Sequence, residues 1–429
     1  MKIRQVVTHV LLALFCLGMI LVAGCDKPVD EGKVIKIGVA GPMQFIHGQH
    51  HWLGAEMAAD EINEAGGVKV GEDYYRIELI KIDTNELLSV DDAASAVEKA
   101  IAQDDIDLLV GTIRTEAAVA IQELMMDHEK IYVTCGASFK QMADKVSEDY
   151  DRYKYWFRIT PMNGELLAKA SLLLMQHVGQ VLMEDYGIET PRVAVVCEEA
   201  AAGDALAAAA QQAIPAFGME LVDVWRPSPQ ATDMTAELTA IRDSGAQIIY
   251  TYLSSSGGVT YSKQWGELQI PAASVGINVE AQSMGFIDAT DSYGNYELTM
   301  NTYAPVEITE STVDWYNEFV EKAGEFPTYN AGTYDAIYVY KEAAERAGIL
   351  DAGAIVEEME KTKRSSAVGN VAFDENHDLV WGPGFVTGVG TQWQEGELKC
   401  VWPYDWEGIT YPGTVEYIVP PWVEEALKN

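Results

Sequence analysis

The sequence predicts an α/β fold of two doubly wound parallel-sheet lobes, joined by a hinge that the chain crosses several times. Short apolar runs alternate with longer amphipathic runs, and strands separated by helices of about 10–15 residues pair in parallel. This alternation pauses at residues 155–161 and then restarts, which indicates a second lobe. The length of 429 residues also exceeds the roughly 250–300 residues that one core supports.

The composition is that of a globular and strongly acidic chain. It is 48% hydrophobic and 10% aromatic, and 29 basic against 66 acidic residues give a formal charge of −37 at pH 7. Nucleic acids and anionic lipids bind proteins through clustered Lys and Arg, which this sequence lacks. We therefore exclude nucleic acid and lipid surfaces as the main binding partners.

The first 24 residues are predicted to be an export signal. Lys2 and Arg4 precede an almost continuous apolar run over residues 6–22, which is short for a membrane-spanning helix. Residues 21–25, Leu-Val-Ala-Gly-Cys, resemble the lipobox of bacterial lipoproteins, in which the cysteine, here Cys25, carries lipid. The alternatives are an ordinary secretory signal or an N-terminal anchor helix. All three place the mature chain outside the cytoplasm, on the periplasmic or outer face of a membrane, and residues 25–33 are expected to be the linker.

The first lobe opens with a β-α unit. Residues 34–40 are predicted to form a strand, and residues 52–65 carry apolar side chains at helical spacing before Gly66-Gly67 ends the helix. The next predicted elements are a strand at 75–83, a helix at 90–103, a strand at 106–111, a helix at 116–129 and a strand at 131–135.

The second series of elements has the same architecture. It comprises a helix at 165–186, a strand at 192–197, an Ala-rich helix at 201–218, a strand at 220–225, a helix at 235–244 and a strand at 247–253. A strand at 298–303 then crosses back, and helices at 312–323 and 334–347 are expected to cover the first sheet. The predicted lobes are residues 34–158 with 301–374 and residues 159–300 with 375–403, followed by a C-terminal extension at 404–429.

No catalytic motif accompanies this fold, because the sequence has no Walker loop, GxSxG elbow, HExxH motif or GxGxxG turn. We therefore predict no catalytic residue, no metal and no cofactor. Ligands in open α/β sheets bind beyond the carboxyl ends of the strands. The segments at those ends are residues 41–52, 112–115, 136–138, 198–203, 254–258 and 277–280.

Three local patterns leave alternatives open. His47, His50 and His51 fall within five residues, so they are ligand contacts, a polar loop that caps the first helix, or a metal site. Residues 374–378 form an acidic β-turn or a calcium loop. The cysteines at 135, 197 and 400 show no metal-ligand spacing; one disulfide between two of them is the alternative to the buried free thiols predicted at Cys135 and Cys197.

Several segments in order resemble one family. They are IKIGVAGP at residues 35–42, GAEMAADEIN at 54–63, FRITP at 157–161, TYDA at 333–336 and VAFD at 371–374. Together they resemble the Leu/Ile/Val-binding proteins, which are type I periplasmic binding proteins of ABC importers. The likeness covers roughly residues 34–403, and it implies the two-lobed fold already predicted from the alternation of strands and helices.

The resemblance also implies where a ligand carboxylate is held. In the amino-acid-binding members, a hydroxyl residue after the third strand and backbone with hydroxyl groups after the fourth bind it. Those positions are Thr115, and Gly136 with Ser138. Hydroxyls and free N–H groups at a helix N-terminus suit an anion. The alternative for the two hydroxyls is simple capping of helix N-termini.

The second lobe departs from the family pattern. The family's aromatic residue before a glycine is Ala202 here, its tyrosine aligns with Ser254, and its acidic residue that holds the α-amino group aligns with Asn278. Glu280 lies two residues beyond Asn278, and Arg114 adjoins Thr115 and offers a cation for an acid group. The predicted ligand contacts are completed by His47, Phe45 and Tyr252.

The resemblance implies a monomeric, lipid-anchored protein that closes on a small polar or carboxylate-bearing molecule for an ABC permease and its ATPase. Because the usual ammonium acceptor is missing, we expect leucine, isoleucine and valine to bind more weakly than some carboxylate or amide that lacks an α-amino group. The alternatives are a receptor that reports the ligand to a membrane kinase or chemoreceptor and, more remotely, a hydrolase whose candidate nucleophiles are residues 254–256.

Overall fold

The computed structural model describes residues 32–428, so the predicted signal and Cys25 lie outside the described residues. The first sheet has the strand order β2-β3-β1-β4-β5-β6 and is parallel except for β2. Its strands are β1 Val34–Gly41, β2 Val68–Val70, β3 Asp73–Asp83, β4 Leu108–Gly111, β5 Ile131–Thr134 and β6 Trp156–Arg158. The helices between them are α1 Ile46–Glu64, α2 Val90–Lys99, α3 Thr115–Asp127, α4 Gln141–Glu148 and α5 Tyr150–Tyr153.

The second sheet has the order β15-β14-β11-β10-β9-β7-β8, and only β14 runs opposite to the other strands, since it pairs antiparallel with both β11 and β15. Its strands are β7 Arg192–Cys197, β8 Glu220–Trp225, β9 Ile248–Leu253, β10 Ala273–Asn278, β11 Leu298–Asn301, β14 Val389–Gln394 and β15 Glu397–Trp402. Its helices are α6 Gly164–Tyr186, α7 Ala201–Ala216, α8 Thr235–Ser244, α9 Gly257–Glu267 and α10 Phe286–Ala289. Helix α6 is long and apolar enough to cross a membrane by composition, but half of its apolar window is buried, and it packs on β10.

The chain then returns to the first sheet. The returning elements are α11 Thr312–Ala323, α12 Thr333–Ala347, α13 Ala352–Met359, β12 Arg364–Ser366 and β13 Gly369–Val371. Helix α12 packs against α1 and β4. The C-terminal extension ends in α14, Pro421–Lys428. Its Trp422 ring lies 5.2 Å from that of Trp265 on α9, and its indole Nε1 donates to the Ile270 carbonyl at 2.9 Å, so the extension packs on the second lobe.

A buried ion pair joins two of the crossings between the sheets. The Arg158 Nε, at the end of β6, lies 2.8 Å from the Asp378 Oδ1, and both side chains are buried. Asn163, which caps α6, donates from its Nδ2 to the other Asp378 oxygen at 3.0 Å. The ring of His377 stacks on Phe157 at 4.0 Å. His377 and Asp378 therefore contact the end of β6 in the first sheet, although they follow the lobe boundary predicted at 374/375.

The first helix also differs from its prediction. The sequence placed its start at residue 52, yet α1 begins at Ile46 and includes all three clustered histidines. Gly48, His50 and His51 are buried against the strand ends, so tertiary packing extends the helix over a segment whose polar letters suggested a loop. The two thiols predicted to be buried and free, Cys135 and Cys197, are confirmed.

Candidate functional site

The two predicted carboxylate-binding hydroxyls lie at one cavity. Thr115 is the first residue of α3, and Ser138 lies in the loop after β5; both line a cavity of about 920 Å³. Gly136 allows their loops to touch, because a Cβ atom there would lie 2.1 Å from the Thr112 carbonyl oxygen. The structure therefore brings Thr115, Gly136 and Ser138 together at the carboxyl ends of β4 and β5.

The opposite wall of the cavity comes from the second sheet's helices. Helix α6 contributes Ala168, Leu172 and Leu173, and α7 with the residue after it contributes Ala201, Ala202, Ala205, Leu206, Ala209, Ala213 and Phe217. The charged side chains at the cavity are Glu116, Lys140, Glu165 and Lys169. The cavity is thus shared between the two lobes, polar at the Thr115 end and apolar along α7.

The loop that carries Ser138 is held from behind by Arg158. Its guanidinium donates to the Ala137 carbonyl and, at 2.8 Å, to the Phe139 carbonyl, on either side of Ser138. Its Nε pairs with Asp378, as described above. All three guanidinium nitrogens are therefore engaged, and the buried ion pair fixes the backbone at this side of the cavity.

Arg114, a predicted ligand contact, bonds to neighbouring residues of the first lobe and remains partly exposed. Its guanidinium pairs with Glu116 at 3.1 Å and contacts the Glu86 carbonyl at 3.4 Å. The backbone N–H groups of Ile113 and Arg114 donate to the Glu86 carboxylate at 3.0 and 2.9 Å. Burial raises the pKa of the Glu86 carboxyl, and these N–H groups partly offset that effect. The sequence analysis did not identify Glu86 as part of this strand edge.

The histidines join α1 to the segment before α12. His47 bonds to Asn330 at 3.0 Å, and His50 to Thr328 at 3.0 Å. His51 Nε2 lies 3.0 Å from the Cys135 carbonyl oxygen. Burial lowers the pKa of His50 to about 4 and that of His51 to about 3, so both are neutral at pH 7.

These contacts favour a structural role for His50 and His51. The His47 ring stacks on Tyr329 at 6.1 Å, Phe45 just before α1 is 44% exposed, and neither His47 nor Phe45 lines the 920 Å³ cavity. Within residues 32–428 no group of three or more His, Cys, Asp or Glu side chains is placed to hold a metal ion. A calcium loop at residues 374–378 is also disfavoured, because the Asp378 carboxylate forms a salt bridge with Arg158.

The second lobe's predicted contacts are distributed over several places. The backbone N–H of Ser254 donates to Glu198 at 2.9 Å, and its hydroxyl bonds to the same buried carboxylate. Burial raises the pKa of the neighbouring Tyr252, and the Glu198 charge adds to this shift. None of the three lines the 920 Å³ cavity. Glu198 lies in the segment 198–203 that the sequence placed at a strand end, but its bonds to Ser254 were not predicted, because a contact between two loops leaves no pattern in the local sequence.

Asn278 and Glu280 do not meet the expectation of ligand contact at this cavity. Asn278 is buried, and its Nδ2 donates to Ser262 at 3.0 Å and to Glu297 at 3.3 Å, inside the second lobe. Glu280 begins a 3-10 turn after β10, and burial raises its pKa. Asn278 faces inward because it is the last residue of a strand that is buried on both faces.

The comparisons agree with this architecture. Residues 34–392 match the periplasmic binding protein family. A leucine-, isoleucine-, valine-, threonine- and alanine-binding protein of Pseudomonas aeruginosa is 23% identical, over 83% of this chain and 90% of that protein. A Leu/Ile/Val-binding protein homolog of Brucella abortus is 22% identical, over 85% of this chain and 89% of that protein.

Solved structures share the fold at low sequence identity. A branched-chain amino acid transporter substrate-binding protein of Streptococcus pneumoniae, in complex with isoleucine, is 19% identical with a TM-score of 0.69, covering 89% of this chain and all of that one. An ABC transporter solute-binding protein of R. palustris, in complex with benzoate, is 17% identical with a TM-score of 0.65, covering 90% of this chain and 99% of that one. The predicted fold and resemblance are confirmed: this chain belongs to the periplasmic binding protein family.

Proposed function

We propose that this solute-binding protein serves an ABC importer and closes on a small carboxylate-bearing molecule between its lobes. The observation that carries the proposal is the shared cavity, with Thr115 and Ser138 on the first lobe and α6 and α7 on the second. A ligand that touches both walls stabilises the closed arrangement, because it gains contacts there that an open cleft does not offer. A permease and its ATPase are the partners that this role requires.

The polar end of the cavity suits a carboxylate. Thr115 and Ser138 supply hydroxyl donors, and Lys140, which pairs with Asp144, adds a positive charge to the lining. Helices α3 and α7 both begin at this end without a side-chain cap, so N–H groups of their first turns are available to an anion. Isoleucine and benzoate, the ligands held by the two solved relatives, are both carboxylic acids.

The proposed location is the outer face of a membrane. Cys25 is the proposed lipid site, in line with the lipobox resemblance of residues 21–25. It precedes β1 by only nine residues, so a lipid there would keep the binding lobes close to the permease in the same membrane.

Replacing both Thr115 and Ser138 by alanine is expected to weaken carboxylate binding well over tenfold. Each lost hydrogen bond to a charged group is worth about 1.5–3 kcal/mol. Calorimetric titration with benzoate and with aliphatic carboxylates measures the loss, and circular dichroism checks the fold. Ser147→Ala, at an exposed site on α4, is the matched control and should bind as the unaltered protein does. An unchanged affinity in the double variant contradicts the site.

The same titrations test the expected ligand preference. Leucine, isoleucine and valine should bind more weakly than the best carboxylate without an α-amino group, because no acidic side chain from the second lobe's strand ends lines the described cavity. The acidic side chains that do line it are Glu116, which pairs with Arg114, and Glu165, which is exposed to solvent, so neither is a buried acceptor for an ammonium group. A buried ammonium group without an acceptor costs several kcal/mol. Sub-micromolar leucine binding, with no response to any carboxylate that lacks an α-amino group, would show this preference to be wrong.

A further inference from the structure

We infer that the ligand extends out of the cleft along an apolar groove between α6 and α7, and that it is an amphipathic acid with an elongated hydrocarbon body. This inference rests on the proposed function. The polar end of the cavity accounts for the carboxylate of the ligand, and the groove accounts for its hydrocarbon body. We call the strip of α7 side chains that lines the cavity the alanine stripe. Its central members are Ala202, Leu206, Ala209 and Ala213.

The alanine stripe is one continuous helix face. Successive members are separated by four, three and four residues, which is the spacing of side chains on one side of an α-helix. At a rise of about 1.5 Å per residue, the stretch from Ala202 to Phe217 extends over about 22 Å. Most of the side chains are methyl groups, so the face is shallow and leaves room for a chain to lie along it.

The facing wall is equally apolar. Ala168, Leu172 and Leu173 of α6 lie across the cavity from the alanine stripe. Both helices begin at the cleft, since α6 follows the crossing after β6 and α7 follows the carboxyl end of β7. The groove therefore opens at the cleft and runs away from it. The whole cavity, groove and polar end together, has a volume of about 920 Å³, near the top of the roughly 300–1,000 Å³ range of ligand pockets.

The positions of the four charged lining residues determine which end of the cavity binds the ligand's acid group. Glu116 is paired with Arg114 at 3.1 Å, and Lys140 with Asp144 at 2.6 Å. Lys169 lies 4.7 Å over the Trp381 ring and makes no salt bridge with any residue between 32 and 428. Glu165 is exposed in the first turn of α6.

All four charged lining groups thus belong to the cleft end or the first two turns of α6. From Leu172 and Ala205 onward the lining is wholly apolar. A carboxylate is therefore placed beside Thr115, Ser138 and the uncapped starts of α3 and α7, and the hydrocarbon body runs along the alanine stripe.

The test is a chain-length series on the full-length protein. Straight-chain carboxylates from butyrate to dodecanoate are titrated by calorimetry. Each added methylene that enters the groove is expected to raise the affinity about fourfold, until the groove is filled. Ala209→Trp fills the groove midway and should weaken dodecanoate binding at least tenfold while leaving butyrate unchanged.

The matched control is Ala208→Trp, one residue away on the exposed side of the same helix, which should leave both affinities unchanged. If the Ala209 variant fails to fold, Ala205→Phe on the same wall repeats the test. Affinity that does not rise with chain length, or dodecanoate binding unaffected by a folded groove-filling variant, overturns this inference and leaves the proposed function standing. Failure of every carboxylate, short and long, to bind contradicts both.

Discussion

Replacing Glu297 by glutamine should raise the free energy of unfolding at pH 8 by about 3 kcal/mol. Glu297 is fully buried in the second lobe, where one carboxylate oxygen accepts from Asn278 at 3.3 Å. The other oxygen has no hydrogen-bond partner among residues 32–428. Burial raises the pKa of Glu297 from 4.5 to about 7, and the neighbouring polar groups of Ser274, Asn278 and Ser262 offset only part of this shift.

The sign of the pH dependence follows from that raised pKa. Below pH 4.5 the carboxyl is neutral in both the folded and the unfolded chain, so its raised pKa does not lower the free energy of unfolding. Between pH 4.5 and 7 the unfolded chain loses its proton first, so the folded state loses about 1.4 kcal/mol per pH unit. Above pH 7 the penalty is complete and constant. Glutamine, which is neutral throughout, does not incur it.

Urea unfolding at pH 5 and pH 8 measures the effect as the difference between variant and unaltered protein. In that difference the buried groups common to both proteins cancel, including His50 and His51. The gain should be large at pH 8 and small at pH 5. Glu310→Gln, at an exposed glutamate before α11, is the control. A Glu297 variant that is less stable at pH 8 contradicts the argument.

Replacing Asp378 by asparagine is expected to lower the free energy of unfolding by about 3–5 kcal/mol. The change leaves the Arg158 guanidinium charged and buried without its counter-charge, since Arg158 is fully buried and Asp378 is its only salt-bridge partner among the described residues. Because Arg158 also holds the carbonyls on either side of Ser138, the variant should bind carboxylates more weakly as well.

Chemical unfolding and calorimetry measure these two effects on one protein. The exposed pair of Lys263 and Asp291 offers the control, because Asp291→Asn should cost less than about 1 kcal/mol. The double variant Arg158→Met with Asp378→Leu separates the two roles. It should recover much of the stability, since no unpaired charge remains, but not the affinity, since the Ser138 loop still lacks its donors. A cost below 1 kcal/mol for Asp378→Asn would contradict the ion-pair argument.

Much of the fold could be predicted because its signals are local. The strands β1 and β7 can be predicted from their own apolar runs, and the helices α2 and α12 from the spacing of their own apolar residues. The start of α1 could not be predicted, since Gly48, His50 and His51 are helical only through their burial against other strand ends. The ion pair between Arg158 and Asp378 joins residues 220 positions apart, which no local pattern reports.

Those residues of the candidate site whose location follows from their position at a strand end could be predicted from the sequence. Thr115 and Ser138 follow strand ends of the first sheet, and that placement brings them to one cavity. Side-chain direction was harder to predict: Asn278 also ends a strand, but its amide turns into the lobe. The Ala-rich helix at 201–218 was recognised only as a helix that packs on a sheet. The face of this helix that lines the cavity could be identified only from the structure, in which α6 lines the same cavity.

The ion pair at the hinge also constrains how the lobes move. It ties the crossing after β6 to the crossing near Asp378, and Asn163 adds a bond between the same two segments. Two connections that are bonded to each other rotate as one unit. They therefore allow the lobes to bend towards each other but resist the twisting of one lobe against the other. Opening and closing should then be rotation about a single axis, described by one angle. A single spectroscopic distance between labels on the two lobes would suffice to follow the whole motion.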